Sequence, residues 1–364
     1  MNRFFPEINK NFGFGCMRFP MAGEKVDTKT VTEMVDAFLA AGFNYFDTAR
    51  PYHSGESEKV VRQCLTSRYP RDRFVLTDKL SFTFFETEAD IEPLFESQLE
   101  ACGVDYFDFY LIHANNAERH KKYTETHAYE TIARLKAQGK IRHIGMSFHD
   151  SAQVLDRILT EHPELEVVQL QFNYADFEDP RVQSRACYEV CRAHGKPVFV
   201  MEPVKGGSLV CLPPKAQSLL TSGSAASYAI RFAAGFENIA VVLSGMSDLN
   251  QMRDNLSFMQ DFQPLSDEEQ RTVAQLRTLF QAQHRIPCTA CRYCVEGCPA
   301  GIEIPELFAC LNALRQDSPE AAARYAAAAV KANACLECGQ CEDACPQHLS
   351  VRQLLKEVDA AFRA

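Results

Sequence analysis

Two cysteine runs restrict this chain more than any other feature. "CTACRYCVEGCP" (288–299) and "CLECGQCEDACP" (335–346) space their cysteines by two, two and three residues, and each run ends in proline. Disulfides would require an exported chain, yet "MNRFFPEINKNFGFG" has no apolar stretch of signal-peptide length, so a soluble, cytoplasmic chain is expected. Zinc sites take four ligands, usually as two separated pairs. That leaves the third cysteine of each run, and Pro299 and Pro346, without a reason.

The run C-x2-C-x2-C-x3-C-P is the bacterial ferredoxin pattern, and residues 284–350 resemble the two-cluster ferredoxins. The resemblance implies two [4Fe-4S] clusters, each taking three cysteines from one run and the fourth from the other. One cluster would use Cys288, Cys291, Cys294 and Cys345; the second would use Cys335, Cys338, Cys341 and Cys298. The other cysteines, at 16, 64, 102, 187, 191, 211 and 310, read mostly as buried small hydrophobes.

With 364 residues and 46% hydrophobic content, the chain can bury one large core and still carry a small module. The division is placed at 1–283 and 284–364. A net charge of -10 argues against a nucleic-acid surface, and no run of 18 apolar residues argues for membrane insertion.

Upstream of the cysteines, short apolar runs alternate with amphipathic stretches. The runs are "FGFGC" near residue 14, "FNYFD" (43–47), "FVLTDK" (74–79), "FDFYLIH" (107–113), "IRHIGMS" (141–147), "VVQLQF" (167–172), "PVFVME" (197–202) and "IAVVLS" (239–244). Between them lie helical patterns such as "TKTVTEMVDAFLAAG", with Val31, Val35 and Phe38 at helical spacing and Gly42 as a stop. Eight such units predict an α/β fold, a (β/α)8 TIM barrel followed by a small, mostly helical, ferredoxin-like domain. A doubly wound sheet shares this alternation, but the first strand-to-helix turn has no G-x-G-x-x-G. In the small domain, "AAARYAAAAVKANA" (321–334) and "IEIPELFACLNALR" (302–315) read as helices.

Polar residues end four consecutive strand runs: Asp47, Lys79, His113 and Ser147. In a barrel such ends converge on one mouth, where barrel enzymes do their chemistry. "FDTARPYHSGESE" (46–58) resembles the D-T-A-x-x-Y-x-x-G-x-S-E signature of aldo-keto reductases, and "GMSFHDS" (145–151) and "VVQLQFNY" (167–174) resemble later motifs of that family. The resemblance spans about residues 10–260. It implies Tyr52 as proton donor, Lys79 as the cation lowering its pKa, Asp47 as the carboxylate holding that cation, and His113 as the group orienting a carbonyl.

The same resemblance implies that Ser147 and Gln169 bind a nicotinamide carboxamide, and that Ser244, Gly245, Gln251 and Asn255 line the nucleotide loop. Here the chain departs from the family. Glu202 or Pro203 stands where an aromatic ring is usual, and Gly245 and Gln251 where a lysine and an arginine usually bind the 2'-phosphate of NADPH, leaving only Arg253 as a cation. NADH is therefore favoured over NADPH, and a flavin stays open.

A hydride moves two electrons together, whereas a cubane passes one. Three readings follow. The chain reduces a carbonyl or related small molecule while the clusters relay electrons to or from a ferredoxin-type or flavoprotein partner. Alternatively it is an NAD(P)H-dependent carbonyl reductase with structural or redox-sensing clusters, or an electron-transfer subunit whose barrel is a docking scaffold.

Overall fold

Strands covered on both faces have no need of alternating polarity, and the apolar runs of this chain show little. They become β1 (Phe12–Gly15), β4 (Tyr45–Asp47), β5 (Val75–Leu80), β6 (Phe107–Asn115), β7 (Ile141–Phe148), β8 (Val167–Gln171), β9 (Val198–Met201) and β10 (Ile239–Ser244). A small antiparallel hairpin, β2 (Met21–Ala22) and β3 (Lys25–Val26), falls outside the eight runs. The computed structural model describes residues 2–282 and 285–363. In it the eight strands close into a barrel in the order β1-β10-β9-β8-β7-β6-β5-β4, with all neighbours parallel.

Closure falls on β1, and it requires glycine. Gly13 lies opposite Leu243 and Tyr45, whose side chains stand 2.7 Å from where a Cβ would sit. A larger residue there would force the seam apart. The helix Thr28–Ala40 shows how the outer layer packs: Asp27 caps it by accepting from Thr30 N, and Val31, Met34, Val35, Phe38 and Leu39 are buried. Gly42, at φ 87°, supplies the left-handed turn after its end.

The barrel interior is filled by side chains. Phe5 and Ile8 from the N-terminal segment share a core with Tyr45, Phe109, Leu111 and Phe199. Beside this plug, His143 Nε2 meets Glu7 Oε1 at 2.8 Å and His143 Nδ1 meets Glu166 Oε2 at 2.9 Å. Burial works against the imidazolium, but hydrogen bonds to Glu166 and Glu7 outweigh it and raise His143 from 6.5 to about 9. Burial likewise opposes the Glu166 carboxylate, and its bonds to His143 and Lys136 prevail, lowering it from 4.5 to about 2. A raised pKa stabilises the fold fully below 6.5 and loses that contribution as pH climbs through about 9. Glu166 contributes above 4.5 and loses its share as pH falls toward about 2. His143→Gln is therefore expected to cost on the order of 2 to 3 kcal/mol near pH 6, and much less above pH 9. Urea unfolding of both proteins across that range checks this; a cost independent of pH would remove the charged cluster from the account.

The chain divides into two compact units. One runs to Val204 and resumes from Leu212 to Arg277; the other takes Lys205–Cys211 and everything from Thr278 onward. The domain boundary read from sequence, between residues 283 and 284, lies outside the described residues. Within the second unit, the repeat extends well past the cysteines. Cys288 and Cys335 are offset by 47 residues, and at that offset Ala290 matches Glu337, Arg292 matches Gly339 and Gly301 matches His348, all with positive φ. The short helices Tyr293–Glu296 and Gln340–Asp343 correspond, as do the starts of Ile304–Leu314 and Val351–Arg363. Ile302 and Leu349 are both buried, and their carbonyls accept from Ile304 N at 2.9 Å and Val351 N at 2.8 Å. Two equivalent halves thus build one core.

The alanine-rich stretch is less helical than its composition predicts. Its helix spans only Ala321–Ala327, Ala328 leaves helical geometry, and a short turn covers Ala332–Ala334. Alanine propensity is a weak prior that tertiary contacts override. Here Lys331 Nζ donates to the carbonyls of Tyr325, Ala326 and Ala328 at 2.7, 2.7 and 2.6 Å, closing the helix end, while Ala332 is buried in the second core.

Candidate active site and cysteine cavities

Parallel strands in one barrel bring their C-terminal ends together. Asp47 is the last residue of β4, Lys79 the penultimate residue of β5, and His113 and Ser147 stand near the ends of β6 and β7. Tyr52 returns to them on a tight turn, Tyr52–Gly55, in which His53 and Ser54 adopt positive φ. That turn is pinned from outside: His53 Nε2 accepts from Phe19 N at 3.1 Å, and Ser57 Oγ lies 2.9 Å from Thr48 Oγ1 while donating to Cys16 O.

Lys79 is the centre of the site. Its Nζ donates to Asp47 Oδ1 at 2.6 Å and Thr48 O at 2.7 Å, and stands 3.3 Å from Tyr52 Oη. The side chain of Lys79 is fully buried, so its charge depends on Asp47 as partner. The ammonium also lies 4.8 Å from the Tyr52 ring centroid. His113 packs edge-on to Tyr52, 6.1 Å between ring centroids, and its Nδ1 meets Ser81 Oγ at 2.6 Å. Burial first, and the charge of Lys79 second, push His113 well below the ordinary histidine range. The ring is neutral at physiological pH. In the tautomer where Ser81 donates to Nδ1, the ring proton lies on Nε2 as a hydrogen-bond donor.

Behind Lys79, Gln98 Nε2 reaches Glu58 Oε1 at 3.2 Å, Asp78 Oδ1 at 3.1 Å and Lys79 O at 3.1 Å. Burial raises both carboxyls above their ordinary values, and the nearby Glu58 raises Asp78 further. This network fixes the strand segment that presents Lys79. Thr48, Ser81 and the Gln98 network were not singled out from sequence, because each works through a neighbour far away in the chain.

The residues expected to hold a nucleotide fall into two groups. Gln169 Nε2 donates to Asp47 Oδ2 at 3.0 Å, so one amide hydrogen braces Asp47 while Oε1 can accept from a ligand. Ser147 Oγ accepts from Ala114 N at 2.7 Å, which leaves its hydroxyl hydrogen to donate. An acceptor and a donor on adjacent strands fit a carboxamide. Ser244 and Asn255 instead satisfy each other, Ser244 Oγ donating to Asn255 Oδ1 at 2.8 Å, and both are buried.

Gly245 lies against Arg18, whose Cβ and Cγ stand 3.2 Å from where a Cβ would be. Arg18 pairs with Glu202 at 3.8 Å, so a cation absent from the sequence reading sits beside this loop. At the start of the helix Leu249–Met259, Asp248 Oδ1 accepts from Gln251 N and Gln251 Oε1 accepts from Ser247 N, at 2.8 and 2.9 Å. A carboxylate already occupies that helix start, which opposes a dianionic phosphate there.

In the second unit the cysteines gather around two cavities. Cys288, Cys291, Cys294 and Cys345 line one, and Cys298, Cys335, Cys338 and Cys341 line the other. Each cavity draws three cysteines from one run and one from the other. Ile304 borders both. Ala290 N points to Cys288 Sγ and Glu337 N to Cys335 Sγ, each at 3.4 Å. Burial first, then the neighbouring thiols, raise Cys294, while burial, Glu342 and the nearby Cys335 push Cys341 up to about 11. Four thiolates in one such cavity need a multiply cationic group to be charged together, which is what an iron-sulfur cluster offers. Of the remaining cysteines, Cys16, Cys64, Cys102, Cys187, Cys191 and Cys310 are buried and Cys211 is exposed.

Comparison with known proteins gives two family matches. Residues 11–212 match the model of the aldo/keto reductase family and residues 287–349 that of the 4Fe-4S dicluster domain. The chain is 28% identical over 198 residues to an NADH-specific methylglyoxal reductase of Escherichia coli K12, covering 48% of this chain and 57% of that protein. It is 28% identical over 248 residues to an aldo-keto reductase of Mycobacterium sp. strain KMS, covering 66% and 82%. Among solved structures, the holo form of an aldo-keto reductase from Bacillus halodurans superposes with a TM-score of 0.60 at 24% identity, over 73% of this chain and 91% of that one. Among the described residues, no helix is long and apolar enough to cross a membrane.

Proposed function

This chain belongs to the aldo/keto reductase family and carries a 4Fe-4S dicluster domain, and from that premise we propose that it reduces the carbonyl of a small molecule at the barrel mouth. In this reading the clusters relay single electrons to or from a ferredoxin-type or flavin partner. The observation that carries the proposal is Lys79 Nζ held between Asp47 Oδ1 and Tyr52 Oη.

Carbonyl reduction adds two electrons and two protons. A nicotinamide, when bound, supplies a hydride. Tyr52 gives the remaining proton to the carbonyl oxygen as negative charge develops there, and the adjacent ammonium of Lys79 stabilises the phenolate left behind. Asp47 keeps that ammonium in place, and Gln169 keeps Asp47 in place. His113, neutral and buried, orients the carbonyl oxygen by donating from Nε2. Ser147 and the free acceptor of Gln169 would hold the nicotinamide carboxamide.

NADH is the favoured nucleotide. Gln251 is turned back onto Ser247, and Asp248 caps the helix start. The Escherichia coli relative bears the name NADH-specific. We expect NADH to bind at least as tightly as NADPH, and Gln251→Arg to shift the preference toward NADPH by more than about tenfold, since a charge-assisted bond contributes about 1.5 to 3 kcal/mol. Calorimetric titration of both nucleotides checks this; strong NADPH preference in the unmodified protein would overturn it.

The relay is supported by two four-cysteine cavities sharing one wall residue, more than a single structural staple requires. It is tested by reducing both clusters anaerobically with reduced ferredoxin and adding a small carbonyl such as methylglyoxal without nucleotide, where one electron from each cluster, one proton from Tyr52 and one from water would replace the hydride and proton of the nicotinamide route. Recovery of the oxidised cluster spectrum is expected. If it does not recover, and NADH-driven reduction persists in protein stripped of iron, the clusters are structural or sensing.

A further inference from the structure

Away from the barrel mouth and the cysteines, the described residues bring three metal-ligating side chains to one point. One ring nitrogen each of His120 and His162 and a carboxylate oxygen of Glu161 all lie within 4.8 Å of one another. We propose that His120, Glu161 and His162 bind one divalent transition-metal ion of the zinc class, with water completing its coordination.

The three donors come from two elements that the chain holds rigidly. His120 lies in the helix Ala117–Glu125; Glu161 ends the helix Ala152–Glu161, and His162 follows as its cap, donating N–H to Ile158 O at 2.8 Å. Each imidazole is fixed through Nδ1. His120 Nδ1 meets Tyr129 Oη at 2.8 Å, and His162 Nδ1 meets Glu164 Oε1 at 2.9 Å. A hydrogen-bond partner on one ring nitrogen, a carboxylate above all, orients the ring and raises the basicity of the other for a metal. The Nε2 of His162 makes no hydrogen bond to any described residue, and His120 Nε2 points to Glu161 Oε2 at 2.8 Å.

Further packing holds the rings in position. Tyr129 stacks on His162 with 3.6 Å between centroids, and Asn115 Nδ2 donates to Tyr129 Oη at 2.9 Å. A His120–Glu161 hydrogen bond alone would give no reason for the second, equally braced imidazole. Side-chain exposures of 8% for His120, 15% for His162 and 48% for Glu161 leave an open side for metal entry and water. Two imidazoles and one carboxylate select zinc-like ions over magnesium or calcium, whose ligands are oxygens. Occupancy would brace the helix after β6 against the helix after β7.

The test uses the full chain, anaerobic and loaded with its clusters, dialysed against zinc. One zinc per chain is expected, bound at least tenfold more weakly by both Glu161→Gln and His162→Gln. Glu164→Gln, which removes only the carboxylate behind His162, should also weaken binding, by about tenfold. Zinc K-edge absorption should show only nitrogen and oxygen neighbours at about 2.0 to 2.1 Å. Three results would overturn the site: no zinc retained, equal affinity in the folded variants, or sulfur neighbours at about 2.3 Å, which would place the ion among cysteines.

Discussion

Tyr52→Phe is expected to lower carbonyl reduction by about 10² to 10⁴, the usual worth of a positioned general acid, while leaving iron content and thermal stability nearly unchanged. The substitution removes one oxygen. The ring that packs edge-on to His113 and lies 4.8 Å from Lys79 Nζ remains, so a large loss reports the proton and not the packing. Lys79 is a poorer first target: removing it leaves Asp47 buried without its cation, which costs about 3 to 5 kcal/mol in stability. A loss below about tenfold in Tyr52→Phe would return this tyrosine to a structural role.

Cys298→Ser should lose one cluster, and the lost one should be that of the other run. Intact protein is expected to carry about eight irons and eight sulfides, since each cubane holds four of each. Cys298 shares its cavity with Cys335, Cys338 and Cys341, and Cys345 shares the other with Cys288, Cys291 and Cys294. Double variants separate crossed from uncrossed ligation. Cys298→Ser with Cys335→Ser should lose no more iron than either alone, whereas Cys298→Ser with Cys288→Ser should lose nearly all of it. The reverse pattern would mean that each run holds its own cluster.

Much of this architecture is legible in the sequence because its signals are local. Eight apolar runs give eight barrel strands, and the polar residues at their ends meet at one mouth since parallel strands all point the same way. What the sequence hides is reciprocal. Gln169 braces Asp47 across 122 positions, and Ser81 meets His113 across 32, through contacts that exist only once the barrel closes. Arg18 likewise reaches Gly245 from the opposite end of the barrel sequence. The hairpin β2–β3 escapes notice for another reason: strands of two mostly exposed residues carry no periodicity. The alanine-rich segment misleads because composition speaks for helix while three carbonyls captured by Lys331 end it early.

The matched halves of the second unit have the logic of a homodimer written into one chain. Each half lends one cysteine to its neighbour's cavity and receives one in return, the reciprocal exchange that defines a two-fold, isologous interface. Each half carries four cysteines, yet neither lines a cavity with four of its own, so neither cavity is complete without the other half. Carrying both halves in one chain holds them at the high effective concentration that a short linker provides, so the exchange needs no second molecule.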